Sequence, residues 1–239
     1  NDVINPLVPD KISSVAIPKV YCEGIVPFAI MNQHDDFFNY IADHFEHTYW
    51  LPGNHEYYHF DISDKCGFLN DQIKDNVTLV NNTSVDHDGV KLLFSTLWSH
   101  ISIENQWQIQ RNLNDFYQIK HNGLRFTSEH YNALHHESFD FIKQSVKQSN
   151  GEKVVVFSHH CPTYLNYPPK YKGDALNEAF ATELFDFIET SNISFWGYGH
   201  HHCNVPDFYI GNTRLTTNQL GYLQYQENDL FENEKCIKL

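Results

Sequence analysis

Thr48-Tyr49-Trp50-Leu51-Pro52, running straight into Gly53-Asn54-His55-Glu56, is the stretch that decides how this chain is read. A hydrophobic, strand-like run ends in a tight turn that carries an amide, an imidazole and a carboxylate in succession. Open α/β sheets keep their chemistry at the carboxyl ends of their strands. Gly-Asn is also an ordinary turn signal, so the tetrapeptide gains its weight from two later segments of the same build. Lys153-Val154-Val155-Val156-Phe157 runs into Ser158-His159-His160, and Ile193-Ser194-Phe195-Trp196 runs into Gly197-Tyr198-Gly199-His200-His201-His202. Three apolar strands, each ending in nitrogen- or amide-bearing side chains, describe a metal site.

Alternating elements surround these strands. Phe37, Phe38, Ile41, Ala42 and Phe45 recur at helical spacing over 36–46. Val77–Val80 reads as a short strand, and Thr83–Asp86 with Val90–Leu97 flank His87-Asp88-Gly89 as a hairpin. Thr127-Ser128-Glu129 opens a helix with Tyr131, Leu134, Phe141, Ile142 and Val146 on its apolar face, closed by Asn150-Gly151. Leu176, Phe180, Leu184, Phe187 and Ile188 mark another amphipathic helix. Phe208–Ile210, Arg214–Thr217 and Gly221–Tyr225 read as strands. No repeat, low-complexity tract or linker divides the chain, so residues 1–239 are expected to form a single α/β domain.

Composition narrows the function classes. With 41% hydrophobic and 19% charged residues the chain reads as globular. Its longest apolar runs are strand-sized, short of the ~20 residues that cross a bilayer, and no basic segment followed by an apolar stretch opens it. A membrane partner is therefore not expected. Thirty acidic against sixteen basic residues give a net charge of −14, which disfavours a duplex nucleic-acid partner. Bound cations can still invert the local field for a small phosphate. Cys22, Cys66, Cys161, Cys203 and Cys236 are scattered and odd in number, as in a reduced, cytoplasmic protein. Cys161 and Cys203 lie beside histidine clusters and read as packing residues ahead of zinc ligands.

The clusters carry the chemistry. His159, His200 and His202 supply imidazoles that suit Zn, Mn, Fe, Co and Ni alike. Alternate residues of an extended segment point to opposite sides, so His200 and His202 reach two neighbouring cations or clasp one. Asn54 offers a neutral carbonyl oxygen. His55 is placed to touch substrate, where it protonates a leaving oxygen or donates a hydrogen bond to developing charge. His160 and His201 rank behind their neighbours, on the substrate side or supporting the ligands. Among 16 histidines some clustering is accidental, and His130, His135 and His136 read as a solvated helix face, as do His34, His44, His47, His87, His100 and His121. Asp61, Trp98 and Tyr164 lie on segments able to shape a pocket.

In order and context, Gly53-Asn54-His55-Glu56, Ser158-His159 and Gly199-His200-His201-His202 resemble the last three signature motifs of the calcineurin-like metallophosphoesterases. Phe94-Ser95-Thr96-Leu97-Trp98 and Leu113-Asn114-Asp115-Phe116 also agree with small bacterial members. The resemblance covers roughly residues 36 to 225. It implies a four-layer α/β/β/α sandwich with a dinuclear centre at the sheet's carboxyl edge. It assigns Asn54, His159 and His200 to one divalent cation, His202 to the other, and His55 to the substrate side. It further implies hydrolysis of a small phosphomonoester or phosphodiester by metal-activated hydroxide.

The family's first two motifs, Asp-x-His and Gly-Asp, are not found near the N-terminus, and the N-terminal strand region is atypical. Tyr21-Cys22-Glu23-Gly24-Ile25-Val26 stands where the second should fall. An N-terminally truncated fragment, a sequence discrepancy before Ile25 and a member lacking half its centre all fit, and Glu23 is the one carboxylate near the gap. Two cations are expected if the centre is complete, one or none if it is not. A catalytically impaired scaffold and a mononuclear zinc hydrolase acting on a non-phosphate substrate are the competing readings.

Overall fold

The computed structural model describes residues 14–16 and 26–238; Cys22 and Glu23 lie outside them. In chain order the strands and helices are β1 (Ser14–Ala16), α1 (Asp35–His44), β2 (Thr48–Trp50), β3 (Leu69–Lys74), β4 (Val77–Asn81), β5 (Thr83–His87) and β6 (Val90–Ser95). Next come α2 (Gln106–Asn112), α3 (Asp115–Gln118), β7 (Lys120–His121), β8 (Leu124–Arg125), α4 (Ser128–Lys147) and β9 (Lys153–Ser158). The chain continues through α5 (Phe185–Thr190), β10 (Ile193–Tyr198), β11 (Phe208–Ile210), β12 (Thr213–Thr217) and β13 (Cys236–Lys238).

Two sheets organise them. The larger runs β11-β12-β10-β9-β6-β5, and its central strands are parallel. The smaller runs β2-β4-β3, with β2 parallel to β4. Side-chain alternation stacks the layers. Leu92 and Phe94 of β6, Val155 and Phe157 of β9, and Phe195 of β10 pack against Val80, Tyr49 and Leu51 of the smaller sheet and its exit. The opposite face, with Leu93, Val154, Val156 and Trp196, meets Ile142 of α4 and Ile188 of α5. On the far side of the smaller sheet, Phe38 and Ile41 of α1 pack on Val77 and Ile73. The result is the α/β/β/α sandwich. Burying each such side chain contributes on the order of 2 kcal/mol, more than the ~1 kcal/mol span of strand propensity. Burial therefore fixes the register, because a slip of one residue would turn every one of these groups to the wrong face.

Local signals explain the element ends. Asp88 and Gly89, at φ +49° and +79°, form the two-residue turn between His87 and Val90. Thr127 caps α4 by accepting from the His130 backbone N–H, while the His130 ring accepts from the Thr127 N–H, a capping box with histidine in the usual Glu position. Two expected elements come out differently. The region from Leu176 to Ile188 is not one helix. A 3₁₀ turn at Ala175–Ala179 gives way to a bridge between Cys161 and Ala181 before α5 begins. Cys161 N–H donates to the Phe180 carbonyl and Thr182 N–H to the Cys161 carbonyl, so the backbone bonds a continuous helix would use go to the chain leaving β9. Gly221–Tyr225 is not a strand, because Gly221 sits at φ +64° and Leu223–Tyr225 turns as 3₁₀.

His135 corrects the expectation of a solvated histidine face on α4. Its ring is 5% exposed, and Nδ1 donates to the Trp98 carbonyl at 2.6 Å. Burial pushes it down to about 4. An unfolded histidine binds its proton near pH 6.5, so stability is constant above that value and falls as the pH drops from 6.5 towards 4, where only the unfolded chain takes the proton. Comparing urea midpoints of the wild type and His135→Gln is expected to show this: the wild type loses on the order of 1–3 kcal/mol relative to the variant between pH 7 and pH 4.5. Parallel stability curves would contradict it.

Candidate metal centre

The turn after β2 is built by its own side chains. Tyr57 N–H donates to the Asn54 carbonyl at 3.2 Å and Tyr58 N–H to the His55 carbonyl at 3.1 Å, curling His55–Tyr57 into one 3₁₀ turn. Glu56 reaches back to accept from the Gly53 N–H at 2.7 Å. Burial pushes its carboxyl up to about 7 against the pull of that bond. Glu56 is thus a staple inside the turn. A Cβ on Gly53 would lie 2.4 Å from Cε1 of His159, so only glycine lets the imidazole lie flat against the turn. Across the sheets, the Thr96 hydroxyl donates to the Pro52 carbonyl at 2.8 Å, tying the exit of β6 to that of β2.

Those constraints bring three donors together. His159 Nε2 stands 3.1 Å from Asn54 Oδ1 and 2.9 Å from His200 Nδ1. Two ligands at right angles around a cation with bonds of about 2.1 Å sit about 3 Å apart, so the set fits a divalent ion. Burial first, then neighbouring histidines, hold His159 and His200 well below the usual imidazole range, which keeps their lone pairs available. Asn54 is an amide, and among the described residues no group of three or more His, Cys, Asp or Glu side chains is arranged as a metal site by itself.

His202 lies close to His159 and His200. Nδ1 pairs with Glu227 Oε2 at 3.0 Å, the backbone N–H donates to Gln219 Oε1 at 2.9 Å, and the ring meets Tyr222 edge-on at 4.8 Å. It is close enough to His55, His159 and His200 to lower their proton affinity. His55 packs against Tyr58 at 4.5 Å in a tilted contact, and burial, with His202 as a lesser cause, pushes it down to about 4. His200 and His202 both hold left-handed backbone, at φ +77° and +49°.

Several neighbours support the site. His160 is fully buried: Nδ1 bonds the Thr96 carbonyl, Nε2 the Tyr131 hydroxyl, each at 3.1 Å, and the ring packs 4.3 Å from His200. His201 is buried, with Nδ1 accepting from Cys203 N–H and Gln219 Nε2. His160 thus packs directly on His200, whereas the His201 ring is held by Cys203 and Gln219. Cys161 is buried against the Gly199 carbonyl, the packing role. The three residues expected to shape a pocket do structural work instead. Asp61 accepts from the backbone of Ser63, Asn122 and Gly123 and pins the β7–β8 turn. Trp98 lies in the core at 2% exposure, and the Tyr164 hydroxyl donates to the Ala181 carbonyl. Sequence reasoning gave no role to Asp115, which accepts from Asn54 Nδ2 at 2.9 Å and from the Tyr58 hydroxyl at 2.8 Å, nor to Glu227.

Two facing sheets gather an amide and two imidazoles at their carboxyl edges, in an architecture consistent with the metallophosphoesterase fold. The chain belongs to the calcineurin-like phosphoesterases, whose family profile matches residues 22–204. It is 32% identical over 214 residues to the uncharacterized protein L509 of Acanthamoeba polyphaga mimivirus, covering 80% of this chain and 74% of that one. Its fold is similar to the crystal structure of phosphopantetheinyl hydrolase (PptH) from Mycobacterium tuberculosis, with TM-score 0.61 at 13% identity over 89% of this chain and 82% of the other. The family generally uses divalent metals. Among the described residues no helix is long and apolar enough to cross a membrane.

Proposed function

We propose that this chain hydrolyses a small phosphomonoester or phosphodiester with a divalent cation held by Asn54, His159 and His200, and a second beside His202. The observation that carries the reading is that His159 Nε2 lies 3.1 Å from Asn54 Oδ1 and 2.9 Å from His200 Nδ1, three groups brought from three separate strand ends. A bound cation supplies Lewis acidity toward phosphoryl oxygens and acidifies a coordinated water. The chain itself does the rest. Asn54 adds a donor without adding negative charge that would repel a phosphate. His55, packed against Tyr58, is the imidazole that would donate its ring N–H to the leaving oxygen. The Glu227 carboxylate fixes which nitrogen of His202 faces the site. No serine or cysteine nucleophile is required.

The test is hydrolysis of bis-p-nitrophenyl phosphate with Mn²⁺, Fe²⁺, Zn²⁺, Ni²⁺ or Co²⁺ added in turn, and of a phosphopantetheinyl substrate as a further arm because the structural neighbour is a phosphopantetheinyl hydrolase. Metal-dependent turnover is expected, with His159→Ala losing at least about 100-fold, since removing a ligand costs more than removing a residue that orients one. Ahead of Gly53 the chain carries neither Asp-x-His nor Gly-Asp, which favours a second reading, a binding module that keeps the fold. No turnover with any metal, and no change on His55→Ala, would select that alternative.

A further inference from the structure

Asp115 sits where its energetics are unfavourable. Its side chain is 1% exposed at the start of α3, with Phe116 and Tyr131 of the core nearby. One oxygen, Oδ1, takes both of its side-chain bonds, from Asn54 Nδ2 at 2.9 Å and from the Tyr58 hydroxyl at 2.8 Å. The other, Oδ2, is buried with no hydrogen-bond partner. A half-satisfied buried carboxylate destabilises a fold, and an apolar or neutral residue of that size would serve packing better. Burial raises its carboxyl to about 6 even against the two bonds it accepts. Packing therefore gives no reason for an acid at this position, whereas its two partners do. Asn54 offers its Oδ1 to the donor set and Tyr58 carries the His55 ring.

We propose that Asp115 is a positioning residue for the cation site: by accepting from Nδ2 it fixes the Asn54 carboxamide with Oδ1 turned to the ion. An amide rotated by half a turn would present two N–H donors to a cation and bind nothing. The carboxylate settles the choice, since only Nδ2 can bond to it. The adjacent negative charge also polarises the amide, strengthening its oxygen as a ligand through the same indirect support that a carboxylate gives a metal-bound histidine. The inference rests on the metal-binding reading proposed above and deepens it with a residue 61 positions from Asn54.

Titrating the metal-free full chain with Mn²⁺ by calorimetry tests it without using activity. Wild type, Asn54→Ala, Asp115→Asn, Asp115→Ala and the double variant Asn54→Ala/Asp115→Ala are compared, with thermal melts of each metal-free protein. Asp115→Ala is expected to weaken Mn²⁺ binding by about 10–100-fold. Asp115→Asn, which keeps an acceptor but loses the charge, is expected to weaken it less while melting at the same temperature or higher. In the Asn54→Ala background the Asp115 change is expected to add nothing, because its effect passes through that amide. A merely structural Asp115 would lower melting temperature in both variants and add independently to Asn54→Ala, which overturns the inference. Unchanged Mn²⁺ affinity in both Asp115 variants, with Asn54→Ala still weakened, overturns it too and leaves the metal reading standing. Wild type that binds no Mn²⁺ overturns both.

Discussion

Gly53→Ala is expected to cost this protein its cation site almost entirely while leaving a folded chain. The added methyl would lie 2.4 Å from Cε1, 2.7 Å from Nδ1 and 2.7 Å from Nε2 of the same imidazole, well inside van der Waals contact. The His159 ring has to swing out, and it is the donor that the other two flank. Gly53 is not in the left-handed region, so no backbone strain accompanies the change; the damage is confined to the ring. Overpacking of this kind costs about 1–3 kcal/mol, within reach of a domain this size. Mn²⁺ affinity is expected to fall by at least about 100-fold, more than loss of a supporting residue would cause, with only a modest drop in melting temperature. Retained affinity, measured by calorimetry, would show that the turn and the histidine can separate freely.

Trp98→Ala is expected to produce the largest loss of stability of any single change near the site. The indole is 2% exposed and meets Tyr131 edge-on at 5.0 Å, Phe126 at 5.8 Å and Tyr57 at 5.8 Å, with His160 at 5.4 Å. Removing a buried tryptophan leaves a cavity and typically costs 3–5 kcal/mol, roughly. Because His160 packs against both this ring and that of His200, cation affinity should fall together with the melting temperature. A variant unfolding less than about 1 kcal/mol more easily by urea would mean the cavity collapses.

Gly53-Asn54-His55-Glu56, His159 and His200 were legible because each lies within a few residues of a strand end, and a strand end is a local pattern. The hairpin at Asp88-Gly89 and the helix from Thr127 were legible for the same reason. Trp98 and His135 were misjudged because burial is decided by what packs across from a residue, and periodicity does not say which histidine of α4 turns inward beneath Trp98. Asp115 and Glu227 went without roles because their partners, Asn54 and His202, lie 61 and 25 residues away. The break between Leu176 and Ile188 was hidden because helical spacing persists there while the backbone bonds are diverted to Cys161 and its carbonyl. The pairing of His202 Nδ1 with Glu227 is a contact between distant residues that spacing along the loop does not carry.

His200 and His202 have a consequence of their own. Each bends through a region of backbone space that side chains with a Cβ enter at a cost of order 1–3 kcal/mol, and glycine would enter freely. At both positions the imidazole is kept against the ease of the backbone, so glycine there would relax the loop and remove the very ring it carries.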